Sequence, residues 1–345
     1  GGTGGATGGT GGATGGTGGA TGGTGGATGG TGGATGGTGG TGGSGSQLTS
    51  VASISGTHMD HDGNNLYVSW VGAGIGGGVK KVVKSTGAVS DLFTVSGGGC
   101  DMVAVNGSNV MAICSSSSTL GKRAVMRGST AGGAPTEAYV STTSAVGGLT
   151  KDGVFGGVAG PNVYFHDGAV LKKLPAASGA ATTLGTWSET TSSSQRWATV
   201  GVDGGSYYVI MNYKILSVPV AGGTVVKVAD LLEGHTGLIA DATNVFFVET
   251  YSNLLKVPKV GGTKTKVNTG TVLLNESQLA LNTDGTFVYS AGYSGSAHAV
   301  MRTPIGGGAP AVVATGTANL KNATLLVDST TVWALTSTGI FKTPK

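Results

Sequence analysis

The sequence predicts an all-β chain, and three observations carry that prediction. A turn-rich stretch of Asp, Asn and Gly precedes a short apolar run seven times, about 44 residues apart on average. Each apolar run is followed by a second short strand that ends in a Pro- or Gly-rich turn. The last copy lacks its fourth strand, and an orphan strand stands near the other end of the chain. Short β-rich runs bounded by such residues read as hairpins, and this period fits four strands per unit. The expected architecture is a β-propeller, most simply of seven four-stranded blades.

The anchors follow in order. Asp62-Gly63-Asn64-Asn65 precedes LYVSW, Asn106-Gly107-Ser108-Asn109 precedes VMAIC, and Gly160-Pro161-Asn162 precedes VYF. Asp203-Gly204-Gly205-Ser206 precedes YYVIM, and Asp241-Ala242-Thr243-Asn244 precedes VFFV. Asp284-Gly285-Thr286 precedes FVYS, and Asp328-Ser329-Thr330-Thr331 precedes VWAL. The second halves align as KVPKVGG (256–262), SVPVAGG (217–223), RTPIGGG (302–308) and KLPAASG (173–179). MRGSTAGG (126–133) and VVKSTG (82–87) are weaker copies. Pro ends a strand where its missing N–H costs little, and glycines supply the positive φ of a tight turn. The final copy stops at GIFKTPK, and QLTSVAS (47–53) reads as its missing outer strand. Pairing the two closes the ring and removes an exposed edge.

Two segments of different character result: a low-complexity tail over 1–46 and the propeller over 47–345. Residues 1–35 are five identical copies of GGTGGAT, followed by GGTGGTGGSGS. Four glycines in every seven residues disfavour a helix. Two readings of the tail stand. It is a flexible tether, as Gly-rich chains commonly are. Alternatively it is an extended threefold strand of polyglycine-II type, whose unpaired backbone groups find partners on neighbouring strands. In the second reading Gly1, Thr3, Ala6, Thr7 and Thr10 begin the repeating surface through which copies assemble.

Charged residues make up 10% of the chain and the formal net charge is +4. Typical globular proteins carry about 25%. No basic run exceeds a pair such as Lys80-Lys81, so no phosphate-neutralising patch for nucleic acid is expected. No apolar stretch reaches the length of a membrane span. Gly1 rather than Met opens the chain, as in a processed exported protein or an artificially trimmed chain. Cys100 and Cys114 flank the turn Asn106-Gly107-Ser108-Asn109. In a two-residue hairpin they fall one residue off direct opposition, so a small bulge would let them form a cross-strand disulfide. The other reading is a pair of buried thiols.

No motif announces catalysis, a cofactor or a metal. Asp60-His61-Asp62-Gly63-Asn64 opens like a calcium loop, but Asn65 and Val71 stand where the loop needs Gly and Glu. His58, His61, His166, His235 and His298 show no zinc-ligand spacing. GAGIGGG (72–78) lacks the Lys-Ser/Thr of a phosphate loop. No nucleophile elbow exists, and Glu189, Glu233, Glu249 and Glu276 are single and scattered. An enzyme is not expected. A propeller enzyme would require titratable groups clustered at the central channel. Trp70 and Trp333 occupy strand positions that pack the core, whereas Trp187 and Trp197 flank the polar run SETTSSSQR and are the candidates for a surface ligand contact.

The phrases DATNVFFV, GPNVYF and KVPKVGG resemble secreted or lipoprotein-type bacterial β-propellers with repeats of the form D-A-T-x-V-Y-W and K-V-P-x-x-G-G. Similar proteins are frequent among myxobacteria, often behind a Gly/Ser/Thr-rich spacer. The resemblance covers about residues 47–345 and departs at Val110-Met111, where the aromatic is missing. It implies the fold and an extracellular or outer-surface location. The expected function is a self-assembling structural protein, with propellers displayed outside a filament of tails. The alternative is a surface-tethered propeller that binds a glycan or protein ligand.

Overall fold

In the computed structural model the described residues are 46–72, 76–119, 121–143, 145–151, 160–187, 199–202, 205–211, 213–232, 236–249, 253–269, 281–294 and 296–345. The tail call on Gly1, Thr3, Ala6, Thr7 and Thr10, and that on Trp197, lie outside them. The described strands form seven sheets, each of four consecutive antiparallel strands apart from the closure. Blades one to six span 58–96, 100–140, 146–186, 199–230, 236–266 and 281–316. Blade seven combines Thr324–Val327, Thr331–Leu335 and Ile340–Pro344 with Thr49–Ala52 as its outer strand. The first strands of successive blades touch one another in sequence, and Thr324–Val327 meets His58–His61 to complete the ring.

The closure is the one the sequence predicts, with an addition. Thr49 pairs with Lys342, Ser50 with Phe341 and Ala52 with Ile340. The residues just before them belong to a different blade. Ser46–Gln47 runs parallel to Ala311–Gly316, the outer strand of blade six, with Ser46 beside Ala314 and Gln47 beside Thr315. The Leu48 N–H donates to the Thr315 carbonyl at 3.0 Å. Leu48 is partly buried on the apolar cluster between blades six and seven. One short segment therefore joins the outer edges of two blades.

The turns follow the sequence logic. Asp62, Asp241, Asp284 and Asp328 each accept two backbone N–H groups from the turn they open, at 2.7–3.1 Å. This side-chain mimicry of a turn is why Asp recurs there. After the third strand, the Gly261 N–H donates to the Pro258 carbonyl at 2.8 Å, and Gly261 and Gly262 have φ of 88° and 135°. The same bond joins Gly222 to Pro219, Gly307 to Pro304 and Gly132 to Ser129.

The core lies between blades. Seven apolar clusters among the described residues correspond to the seven seams. The second strand of each blade contributes one large side chain at an equivalent place: Tyr67, Met111, Tyr164, Tyr208, Phe246, Tyr289 or Trp333, none more than 3% exposed. Burying each such side chain contributes about 1.5–3 kcal/mol. Met111 fills the position where the aromatic is missing, since its flexible thioether adapts to the space.

Cys100 and Cys114 face each other in the first hairpin of blade two, and a disulfide joins them. The register from Asn106–Asn109 outward shifts between Cys100 and Met102, which brings the cysteines into direct opposition. No helix among the described residues is long and apolar enough to cross a membrane.

Candidate binding site at the ring closure

The repeat places a cation beside the large buried side chain in six of the seven blades. The third strand carries Lys81, Arg127, Lys173, Lys256, Arg302 or Lys342 directly opposite that side chain, and Ser217 in blade four. At three seams this cation reaches forward and grips the next blade. Lys81 donates to the Thr130 carbonyl at 3.3 Å, and Lys256 to the Ile305 carbonyl at 3.0 Å. Arg127 donates to the carbonyls of Pro175 and Ala176 at 2.9 Å and of Gly179 at 3.3 Å. Orphan carbonyls of the turn after the third strand are thereby satisfied by charge-assisted bonds.

The seam between blades seven and one is built differently. In blade one the turn after the third strand has five residues, 84–88, where blades two to six have six. It closes with a bond from the Gly87 N–H to the Val83 carbonyl and lacks the Gly-Gly pair. Lys84 from this turn reaches backward. Its ammonium donates to Asp328 at 3.0 Å, contacts His61 Nδ1 at 2.9 Å and lies 5.6 Å from the Trp333 ring centroid. Lys342 approaches the same ring at 5.7 Å. Two ammonium groups thus share one buried indole, and the one carboxylate beside it pairs with Lys84.

Between them opens a groove of about 880 Å³. Its lining includes Thr49, Asn64, Ser85, Ser329, Thr330 and Thr331. Burial alone would push the Asp328 carboxyl up, but the Trp333 indole N–H, the Thr330 N–H and Lys84 hold it at about 2. His61 is lowered, by desolvation first and then by Lys84 and Lys151 against the opposing pull of Asp60. A neutral imidazole can accept the Lys84 proton at Nδ1.

A second cluster lies on the first strands. Asp60 accepts from Lys151 at 2.9 and 2.7 Å and from the Val105 N–H at 2.6 Å. Asp60 belongs to blade one and its two partners to blades two and three, so it ties three blades at the ring interior. The Val103 N–H reaches His58 Nδ1 at 3.4 Å. Burial would raise the Asp60 carboxyl, yet Lys151 and the Val105 N–H outweigh it and leave it below its usual range. His58 is lowered, chiefly by desolvation.

The expected site residues are distributed as follows. Asp60 and Asp62 of the calcium-like loop serve different neighbours: Asp62 caps its own turn and accepts the Tyr67 hydroxyl at 2.6 Å, whereas Asp60 serves blades two and three. Trp187 corrects the expectation of a surface contact. It is 6% exposed and packs with Tyr164, Tyr207 and Val209 between blades three and four. The polar residues that follow it in sequence do not decide its environment; the neighbouring blade does. Glu249 is buried and accepts from the Leu232 N–H and from Lys264. Glu189, Glu233, Glu276 and His235 lie outside the described residues. His166 is buried and pushed down to about 4 by desolvation. The sequence reading passed over Lys84, Lys151, Asp328 and Lys342 as functional residues. The cation two places before the strand-ending Pro, as in KVP, RTP and KTP, is the local signal for Lys342.

No family model and no curated protein sequence matches the chain. Among solved structures it is similar to YCF48 from Cyanidioschyzon merolae, with a TM-score of 0.57 and 13% identity over 87% of this chain and 96% of that one. It is similar also to the computationally designed Ika8 protein, with a TM-score of 0.54 and 10% identity over 86% of this chain and 100% of that one. A prolyl endopeptidase gives a TM-score of 0.54 at 9% identity, over 83% of this chain and 47% of that one. At these identities the likeness shows the β-propeller fold alone.

Proposed function

We propose that the chain is an extracellular structural protein that assembles through its Gly-rich repeat and displays the propeller outward. The observation that carries this reading is the repeat itself, five identical GGTGGAT copies, joined to the propeller at Ser46–Gln47 on the outer edge of blade six. Gly-rich extended strands can pair closely between chains. A disulfide in a small hairpin supports an oxidising compartment. The titratable cluster of His58, Asp60 and Lys151 on the first strands is the feature a propeller enzyme would also need, while Asp60 with Lys151 and Asp328 with Lys84 serve equally as ties between blades.

Negative-stain images and light scattering of the full chain and of a variant lacking residues 1–40 test the reading. Polymers in the full chain that vanish on deletion are expected. Monomers from both proteins at all concentrations overturn it. A second reading, a surface-held propeller that binds a ligand, is favoured by the groove between blades seven and one.

A further inference from the structure

We infer that the groove between blades seven and one binds an acidic polysaccharide, seating a sugar carboxylate on Lys342 and sugar hydroxyls on the surrounding Ser and Thr side chains. The inference does not rest on the assembly reading. It starts from a break in the repeat. At the seams of Lys81, Arg127 and Lys256 the equivalent cation is engaged with the carbonyls of the next blade. At the closing seam the place beside the aromatic is shared with Lys84, whose charge is matched by Asp328. Lys342 has its ring contact to Trp333 and, among the described residues, no carboxylate or carbonyl partner. The groove therefore carries one positive charge more than its lining neutralises.

The lining narrows the ligand class. A volume of about 880 Å³ lies within the roughly 300–1,000 Å³ of small-ligand sites. Thr49, Ser85, Ser329, Thr330, Thr331 and Asn64 of the lining offer donors and acceptors, which matches the hydroxyls of a sugar chain. Trp333 is only 3% exposed, so it cannot serve as a stacking platform for a nucleic-acid base. The overall pI of about 9.0 favours an anionic partner in the encounter.

Calorimetric titration of the full-length protein with a tetragalacturonate probe at low ionic strength tests the inference, with maltotetraose as the neutral comparison. The acidic probe is expected to bind and the neutral one to fail. Lys342→Gln should weaken binding at least tenfold, and Lys342→Arg should retain most of it. Lys321→Gln, at an exposed position outside the groove, should leave it unchanged. Ser329→Glu places a like charge at an exposed turn and should also abolish binding without touching the core. Circular dichroism melts of each variant separate loss of binding from loss of fold. Failure of the parent protein to bind the acidic probe overturns the inference. So does equal binding by Lys342→Gln and Ser329→Glu, or equal affinity for inorganic phosphate or for an acidic peptide.

Discussion

Removing the ammonium of Lys151 should be costly, because the carboxylate it leaves behind sits between three blades. The Asp60 and Lys151 side chains are 13% and 20% exposed, and their closest contact is 2.7 Å. Breaking a buried pair by deleting one partner costs about 3–5 kcal/mol. The Val105 N–H at 2.6 Å still stabilises the carboxylate, and partial exposure screens it, so the lower end applies to Lys151→Met. At ~2.1 cal/mol/K per residue, some 300 folded residues unfold with about 0.6 kcal/mol/K, and about 3 kcal/mol becomes a drop of about 5 °C in melting temperature. Asp60→Asn should cost about 1.5 kcal/mol, since the longer Lys151 can swing to water. The double variant should cost about 2 kcal/mol, less than the sum of the two single changes, giving a coupling of about 2.5 kcal/mol. Differential scanning calorimetry and urea melts of the four proteins complete the cycle. A coupling below about 0.5 kcal/mol would refute the claim that this pair works as a desolvated tie across blade two.

Other outcomes follow from the same structure. Replacing Cys100 and Cys114 by Ala opens a loop of about 15 residues and should cost about 3 kcal/mol; mass spectrometry with and without reductant confirms the bond, and an unchanged melting temperature argues against its contribution. Arg127→Met removes three carbonyl contacts and should lower stability by about 2 kcal/mol, while Arg127→Lys recovers only part because an ammonium lacks the planar fork. Glu137, Asp284 and Asp328 are held at about 2, burial being outweighed by their hydrogen bonds. Their folded values lie below their unfolded ones, so their contribution is complete above about pH 4.5 and is lost as pH falls toward 2. His166 titrates down to about 4, so the unfolded chain takes up this proton first and stability also declines from pH 6.5 to 4. His58 and His61 are lowered in the same direction, so His166→Phe should reduce that upper part of the melting-temperature profile without abolishing it and leave the lower part in place.

The local repeat was legible because its causes are local. Asp62 and Asp328 bond N–H groups two and three residues away, and Gly261 and Gly262 answer a turn that begins at Pro258. The cysteine register could be counted from a single hairpin, bulge included. Ring closure was legible because a strand missing from one end of the chain stands at the other. What the sequence hid depends on blades meeting in space. Lys151 and Asp60 are 91 residues apart, and Lys84 and Asp328 are 244 apart. Trp187 reads as a loop residue beside SETTSSSQR, and it is buried only because side chains of blades three and four close around it. Ser46–Gln47 carries no pattern that announces a parallel pairing, since two residues hold no periodicity.

The short segment over residues 46–52 also has a mechanical meaning. Among the described residues, tension applied through the Gly-rich repeat meets first Ser46–Leu48, held on the outer strand of blade six by a short pairing, and the closing strand Thr49–Ala52 next. The two pairings act in series. The outer one can peel and re-form while the ring stays shut, so that a pull is absorbed at the rim before it reaches the joint that holds the propeller closed.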